Sequence, residues 1–123
     1  PGRVCDDLID FTDVLPTLVD VAGAQLPSGI PFDGVSFAPQ LRGEPGSPRD
    51  WIYCWYERNG KRDQASRHAR DKVFKLYADG RYYNVVDDPA EQRPLESISG
   101  DAAARRVVLQ GVLDRMRVPT DPH

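Results

Sequence analysis

The densest apolar stretch of the chain is Trp51-Ile52-Tyr53-Cys54-Trp55-Tyr56. Strand side chains point alternately to opposite faces, so Trp51, Tyr53 and Trp55 share one side and Ile52, Cys54 and Tyr56 the other. A strand with one face in water alternates apolar with polar residues, and this one does not. Both faces are therefore expected to be covered. A C-terminal helix can supply one cover. Three large aromatics exceed the contiguous apolar patch of a few hundred Å² that a soluble monomer commonly exposes, so the other face is expected to meet protein beyond this chain.

Upstream, Val14, Leu15, Leu18, Val19 and Ala22 recur at helical spacing. They predict an amphipathic helix over residues 13–23, with Asp13 as N-cap, Pro16 in the first turn where no N–H is needed, and Gly23 as terminator. Residues 26–48 are dense in Pro and Gly and read as a long surface loop. Inside it, Asp33-Gly34 marks a turn, and residues 36–43 read as a short helix capped by Ser36 and stopped by Gly43. Beyond the aromatic stretch, residues 58–63 are polar and turn-rich, and 65–70, 72–77 and 81–86 read as strands. Asp79-Gly80 between the last two predicts a type I′ hairpin. Residues 99–116 form a last helix, capped by Ser99, with Ala104, Val108, Leu109, Val112, Leu113 and Met116 facing in. The tail 118–123 reads as frayed. The fold class is α+β: a small antiparallel meander of about four strands packed by a C-terminal helix, with an N-terminal helix and Pro/Gly-rich loop before it.

Composition narrows the function by exclusion. The 123 residues carry a formal net charge of −3 with both signs interspersed, which offers no basic surface for nucleic acid or an anionic membrane. The apolar runs fall short of a membrane span. The chain opens on Pro1-Gly2-Arg3 without a signal peptide or an initiator Met, which suits a piece cut from a longer protein. Cys5 and Cys54 permit one disulfide, but Cys54 reads as a free core thiol. There is no Gly-rich phosphate loop, no paired-His metal motif and no Cys-x-x-Cys pair. Asp6-Asp7 and Asp87-Asp88 are adjacent pairs whose side chains diverge on a strand, as solvated loop and cap residues do. The most functional-looking spot is Arg67, His68 and Arg70, whose guanidiniums match sulfate, phosphate or carboxylate. The same residues also suit an edge strand guarded by outward charges.

In chain order, five segments resemble the C-terminal part of a sulfatase of the arylsulfatase A-like kind, in the alkaline phosphatase superfamily. They are Pro1-Gly2-Arg3-Val4, Asp13-Val14-Leu15-Pro16-Thr17-Leu18 with Ala22-Gly23, and Asp33-Gly34-Val35-Ser36 with Pro39-Gln40-Leu41-Arg42-Gly43. The remaining two are Ala69-Arg70-Asp71-Lys72-Val73-Phe74-Lys75-Leu76 and Tyr83-Asn84-Val85-Val86-Asp87-Asp88-Pro89-Ala90-Glu91. Asn84, where the family often has Asp, and Arg93-Pro94-Leu95, where it often has Asn-Leu, depart from the pattern.

The resemblance implies a sulfuric-ester hydrolase that works with a formylglycine made from a Cys-x-Pro-x-Arg motif, beside a calcium ion. Cys54-Trp55-Tyr56-Glu57-Arg58 has Cys and Arg at that spacing but lacks the Pro and lies in a predicted strand. No catalytic or metal-ligating residue transfers onto this chain, which alone is expected to be inactive and to hold no cofactor. By resemblance, residues 1–49 end a large α/β catalytic domain and 50–123 form a small C-terminal subdomain. The implied partners are the N-terminal catalytic domain and a sulfate ester, with Arg67, His68 and Arg70 as candidates for the rim of the substrate pocket. A dimer through an exposed apolar face is a further expectation, and export to the periplasm or outside is implied for the whole enzyme. Two alternatives stand beside this reading: the tail of a related phosphodiesterase or phosphonate hydrolase, and a stand-alone module binding a small ligand or a protein. The last predicts a ligand on the Trp51/Tyr53/Trp55 face.

Overall fold

A computed structural model describes residues 2–61 and 64–116. The tail expected to fray and part of the 58–63 turn lie outside the described residues. The chain divides into two compact units, residues 1–50 and 51–123.

The first unit is built around helices α1 (Val14–Val21) and α2 (Ala38–Arg42). A 3-10 turn at Phe11–Asp13 leads into α1; the Asp10 carboxylate accepts from the Phe11 N–H, and the Asp13 carboxylate reaches back to the Asp10 N–H. Asp13 precedes α1, as the sequence predicts, but makes no side-chain cap to it. Its carboxylate is 2% exposed and turned into the unit. At the other end Gly23 takes φ 65°, the Gly23 N–H donates to Asp20 O and the Ala24 N–H to Val19 O. This is the left-handed terminator expected there.

The inward face of α1 differs from the expected one. The buried side chains are Pro16 and Thr17, whereas Leu15, Leu18 and Val21 are 53%, 62% and 62% exposed. The reason is hydrogen bonding: Thr17 Oγ1 donates to Asp13 O and accepts from the Phe37 N–H, and Ser36 Oγ donates to Asp20. The Thr17 hydroxyl satisfies the Phe37 N–H of the loop, so the Pro16 and Thr17 side of the helix turns inward. Ser36 also accepts from the Ala38 N–H at the start of α2, and Gly43, at φ 89°, closes it. Gly34 packs so closely that a Cβ there would sit 1.9 Å from Thr12 O.

The second unit is a four-stranded antiparallel meander with a helix on it. The strands are β1 (Ile52–Tyr56), β2 (Ser66–Arg70), β3 (Phe74–Tyr77) and β4 (Tyr82–Asn84), and the helix is α3 (Gly100–Arg115). The register sets Ala69 opposite both Tyr53 and Leu76, and Leu76 opposite Tyr82. These side chains share one face, and Leu109, Val112 and Leu113 of α3 close over it to form the core. Burying each such aliphatic side chain is worth about 1.5–3 kcal/mol. Polar ends are satisfied at the seam: the Tyr82 hydroxyl donates to Ala102 O and the Tyr53 hydroxyl to Met116 O. Asp71 accepts from the Val73 and Phe74 N–H groups and from Arg105 Nε at 2.6 Å, tying the β2–β3 turn to the helix.

Three details correct the sequence reading. The Trp51/Tyr53 side of β1 is the one α3 packs against, so the helix sits where the stand-alone reading would put a ligand. Val108 and Ala104 are exposed, because α3 lies on the sheet through Leu109, Val112 and Leu113. The β3–β4 loop has positive φ at Gly80 but not at Asp79, with a Gly80 N–H to Tyr77 O bond. That is a three-residue loop, a type I turn followed by a left-handed glycine, and not type I′. Cys5 and Cys54 are both free thiols, the first exposed and the second half-buried. Among the described residues no helix is long and apolar enough to cross a membrane.

Candidate functional site

The sheet face away from α3 carries a group of titratable side chains. Strand alternation puts His68 and Arg70 of β2 on this face, beside Lys75 and Tyr77 of β3. The register sets His68 opposite Cys54 on one side and Tyr77 on the other, and the His68 and Tyr77 rings lie 5.3 Å apart. Arg67 goes the other way. It faces the α3 side, with its guanidinium 6.0 Å from the ring of Trp55, its register partner. The structure thus brings His68 and Arg70 to one face and separates Arg67 from them. Arg70 Nε donates to Asp71 O at 3.1 Å, leaving its two terminal amino groups as further donors.

Glu91 completes the face. It follows Asp88-Pro89, whose turn is held by the Arg93 N–H donating to the Asp88 carboxylate. Glu91 takes φ 55°, a left-handed conformation that costs a side-chain-bearing residue about 1 kcal/mol. In return its carboxylate accepts from Lys75 Nζ at 2.6 Å and from the Tyr77 hydroxyl at 2.5 Å. Burial opposes ionisation of Glu91, but these two bonds prevail and hold its carboxyl below the usual range. For Lys75, burial is likewise outweighed by Glu91 and Tyr77, and its ammonium is stabilised. Burial, the Lys75 ammonium and the Arg70 guanidinium push His68 down to about 4, against the pull of Glu91. At neutral pH His68 is therefore an uncharged donor and acceptor, Lys75 is engaged by Glu91, and Arg70 lies beside them on the same face.

Sequence reasoning singled out His68 and Arg70 but not the Lys75–Glu91–Tyr77 group. Lys75 and Glu91 lie in the 69–76 and 83–91 segments that carry the resemblance. They sit 16 residues apart, and only the strand register and the 88–91 turn bring them together. No three His, Cys, Asp or Glu side chains converge to hold a metal among the described residues.

A polar cleft of about 470 Å³ opens at the β3–β4 hairpin, lined by Gln64, Ser66, Arg67, Tyr77, Asp79 and Arg81 among others. Arg81 is fixed there: its Nε donates to Asp79 at 2.8 Å and its guanidinium lies 4.4 Å from the centre of the Tyr77 ring.

The proteins this chain resembles are sulfatases by name. No family model matches the chain. It is 31% identical over 97 residues to the ulvan-active sulfatase of Formosa agariphila, covering 76% of this chain and 19% of that protein. It is 47% identical over 92 residues to arylsulfatase A of Bos taurus, covering 73% of this chain and 18% of that protein. Among solved structures, a 2-O GAG sulfatase superposes with a TM-score of 0.62 at 27% identity, covering 84% of this chain and 24% of that one. The chain is homologous to the sulfatases. This sulfatase homologue spans about a fifth of the length of the curated relatives it matches, and its four-stranded sheet with a C-terminal helix is part of their fold.

Proposed function

We propose that the chain is the C-terminal portion of a sulfuric-ester hydrolase, in which it completes the fold and contributes to the rim of the substrate pocket. The observation that carries this is the homology to sulfatases across both units, with 76% of the chain aligned to one relative. A physical observation supports it: α1 turns Leu15, Leu18 and Val21 outward, an apolar strip that a larger domain would cover. Residues 1–49 are assigned to the edge of the large catalytic domain and 50–123 to the small subdomain. The chain alone is inactive on this reading. On this reading the formylglycine and calcium of a sulfatase would be held by other residues of the whole protein. A formylglycine supplies the group that accepts the sulfuryl moiety. The residues of this chain can only orient the rest of the ester.

Arg67, His68 and Arg70 remain the rim candidates, with His68 and Arg70 as the pair that shares a face. Arg70 would engage a negatively charged group of the substrate through its two terminal amino groups, and neutral His68 would accept or donate to a hydroxyl. The test uses the intact protein and a series of sulfate esters. Arg70→Ala is expected to raise KM about tenfold with little change in kcat, the mark of lost ground-state binding. Unchanged constants across the series would remove Arg70 from the rim. Hydrolysis of phosphate diesters in preference to sulfate esters would move the protein to the phosphodiesterase alternative.

A further inference from the structure

The two edges of the meander differ. β4 is three residues long, and its outward carbonyls at Tyr82 and Asn84 accept from the Leu95 and Asp88 N–H groups. β1 is five residues long and carries no charge, proline or bulge, the usual guards of an exposed edge. Its outward groups follow from the bonds of the neighbouring strands. Arg67 O accepts from the Ala78 N–H and the Asp71 N–H donates to Phe74 O, so Arg67, Ala69 and Asp71 turn their backbone groups toward β3. Ser66, His68 and Arg70 therefore bond to their register partners Tyr56, Cys54 and Ile52. That leaves the backbone N–H and C=O groups of Tyr53 and Trp55 pointing out of the sheet. Among the described residues nothing pairs with them. Such an edge is a template for another strand.

We propose that a second copy of this chain supplies that strand, β1 pairing antiparallel with β1 about a two-fold axis at Cys54. In this register Tyr53 of one copy exchanges both backbone bonds with Trp55 of the other, and Ile52 comes opposite Tyr56. Every β1 residue then has a partner in the other β1, whereas a centre at Tyr53 or Trp55 leaves part of the strand outside the ladder. The Tyr53 and Trp55 rings meet as a cross-strand aromatic pair. Just beyond the strand, exposed Asp50 of one copy comes opposite exposed Arg58 of the other, so opposite charges close both ends. The pairing follows from β1 and does not rest on the sulfatase reading.

Cys54 reports on the axis. It meets its own copy in a pair without backbone bonds, with Cα atoms about 4.5 Å apart, inside the range a disulfide spans. The intact protein is used, carrying Cys5→Ser so that the exposed thiol takes no part. Diamide takes up the two thiol hydrogens as the S–S bond forms. Trypsin should then release peptide 50–58 joined to a second copy of itself, a product that no link within one chain gives. Sedimentation under reducing conditions should show a dimer, and Cys54→Ser should keep it. Trp55→Pro removes an outward N–H that the β1–β2 ladder does not use, and should raise the dimer Kd at least about tenfold. Tyr56→Lys, at a position 59% exposed, adds an edge charge and should act in the same direction. Circular dichroism checks that the sheet persists in both. A monomer, a dimer that yields no 50–58 link, or a dimer untouched by both variants would each overturn the proposal. So would dissociation by Leu18→Glu, which would place the association at the α1 strip.

Discussion

His68 is kept neutral by where the sheet places it, half-buried with Lys75 and Arg70 on its own face. A folded value near 4 against an ordinary 6.5 means that the unfolded chain takes up a proton which the folded chain refuses. Stability owed to neutral His68 is therefore fully present above pH 6.5 and is lost as the pH falls from there toward 4. The groups facing it set the sign: Lys75 and Arg70 disfavour the imidazolium, and Glu91 favours it but is engaged by Lys75 and Tyr77. The check is the His68 ring resonance, which should titrate near 4; a midpoint at 6.5 would mean the imidazole is solvated. Read from the sequence, His68 between Arg67 and Arg70 looks like one basic spot. On the strand, Arg67 leaves for the Trp55 side and the spot becomes a neutral ring beside Arg70.

At the scale of elements, a few buried carboxylates decide how helices and turns are joined. Asp13 is the main one in the first unit. It accepts from the Asp10 and Val35 N–H groups and from Arg49, which also donates to Asp33 O. Arg49 thereby clasps the start of α1 to the 33–35 loop and to the end of the unit. The pair is largely buried, with side chains 2% and 13% exposed, so removing one charge leaves the other without compensation. Asp13→Asn is expected to destabilise the first unit by about 3 kcal/mol or more. Chemical denaturation followed by a probe in that unit measures it, and a loss inside about 0.5 kcal/mol, the range of an ordinary surface change, would contradict the clasp. The helical spacing of Val14, Leu15 and Leu18 identified α1 correctly but not its inward side. Periodicity counts apolar residues, and here the inward side was chosen by hydrogen bonds through Asp13 and Thr17. In the second unit the apolar pattern and the packing agree at Leu109, Val112 and Leu113.

For the molecule as a whole, the outward Leu15, Leu18 and Val21 strip is the feature that bears on what surrounds this chain. Leu18→Glu separates the possibilities. In the 123-residue chain, where Leu18 is exposed, the substitution should shift stability by no more than about 0.5 kcal/mol and reduce self-association. In the intact sulfatase homologue it should cost about 2 kcal/mol or more, the penalty of burying a carboxylate in an apolar contact. Indifference in both settings would show that the strip faces water, and the assignment of residues 1–49 to a domain edge would fall.

The sequence by itself determined the elements and their order, since strand alternation, helical spacing, turn chemistry and capping residues act over a few neighbours and are legible locally. It also carried the sulfatase resemblance, which was written in short segments such as Asp13-Val14-Leu15-Pro16-Thr17 and Asp87-Asp88-Pro89-Ala90-Glu91. Only the tertiary structure decided which face of β1 the helix covers, that Glu91 reaches Lys75 and Tyr77, and that Arg81 stands braced at the hairpin cleft. Those outcomes depend on register and on hydrogen bonds between residues far apart in the chain. A one-residue slip of register would have reversed every face.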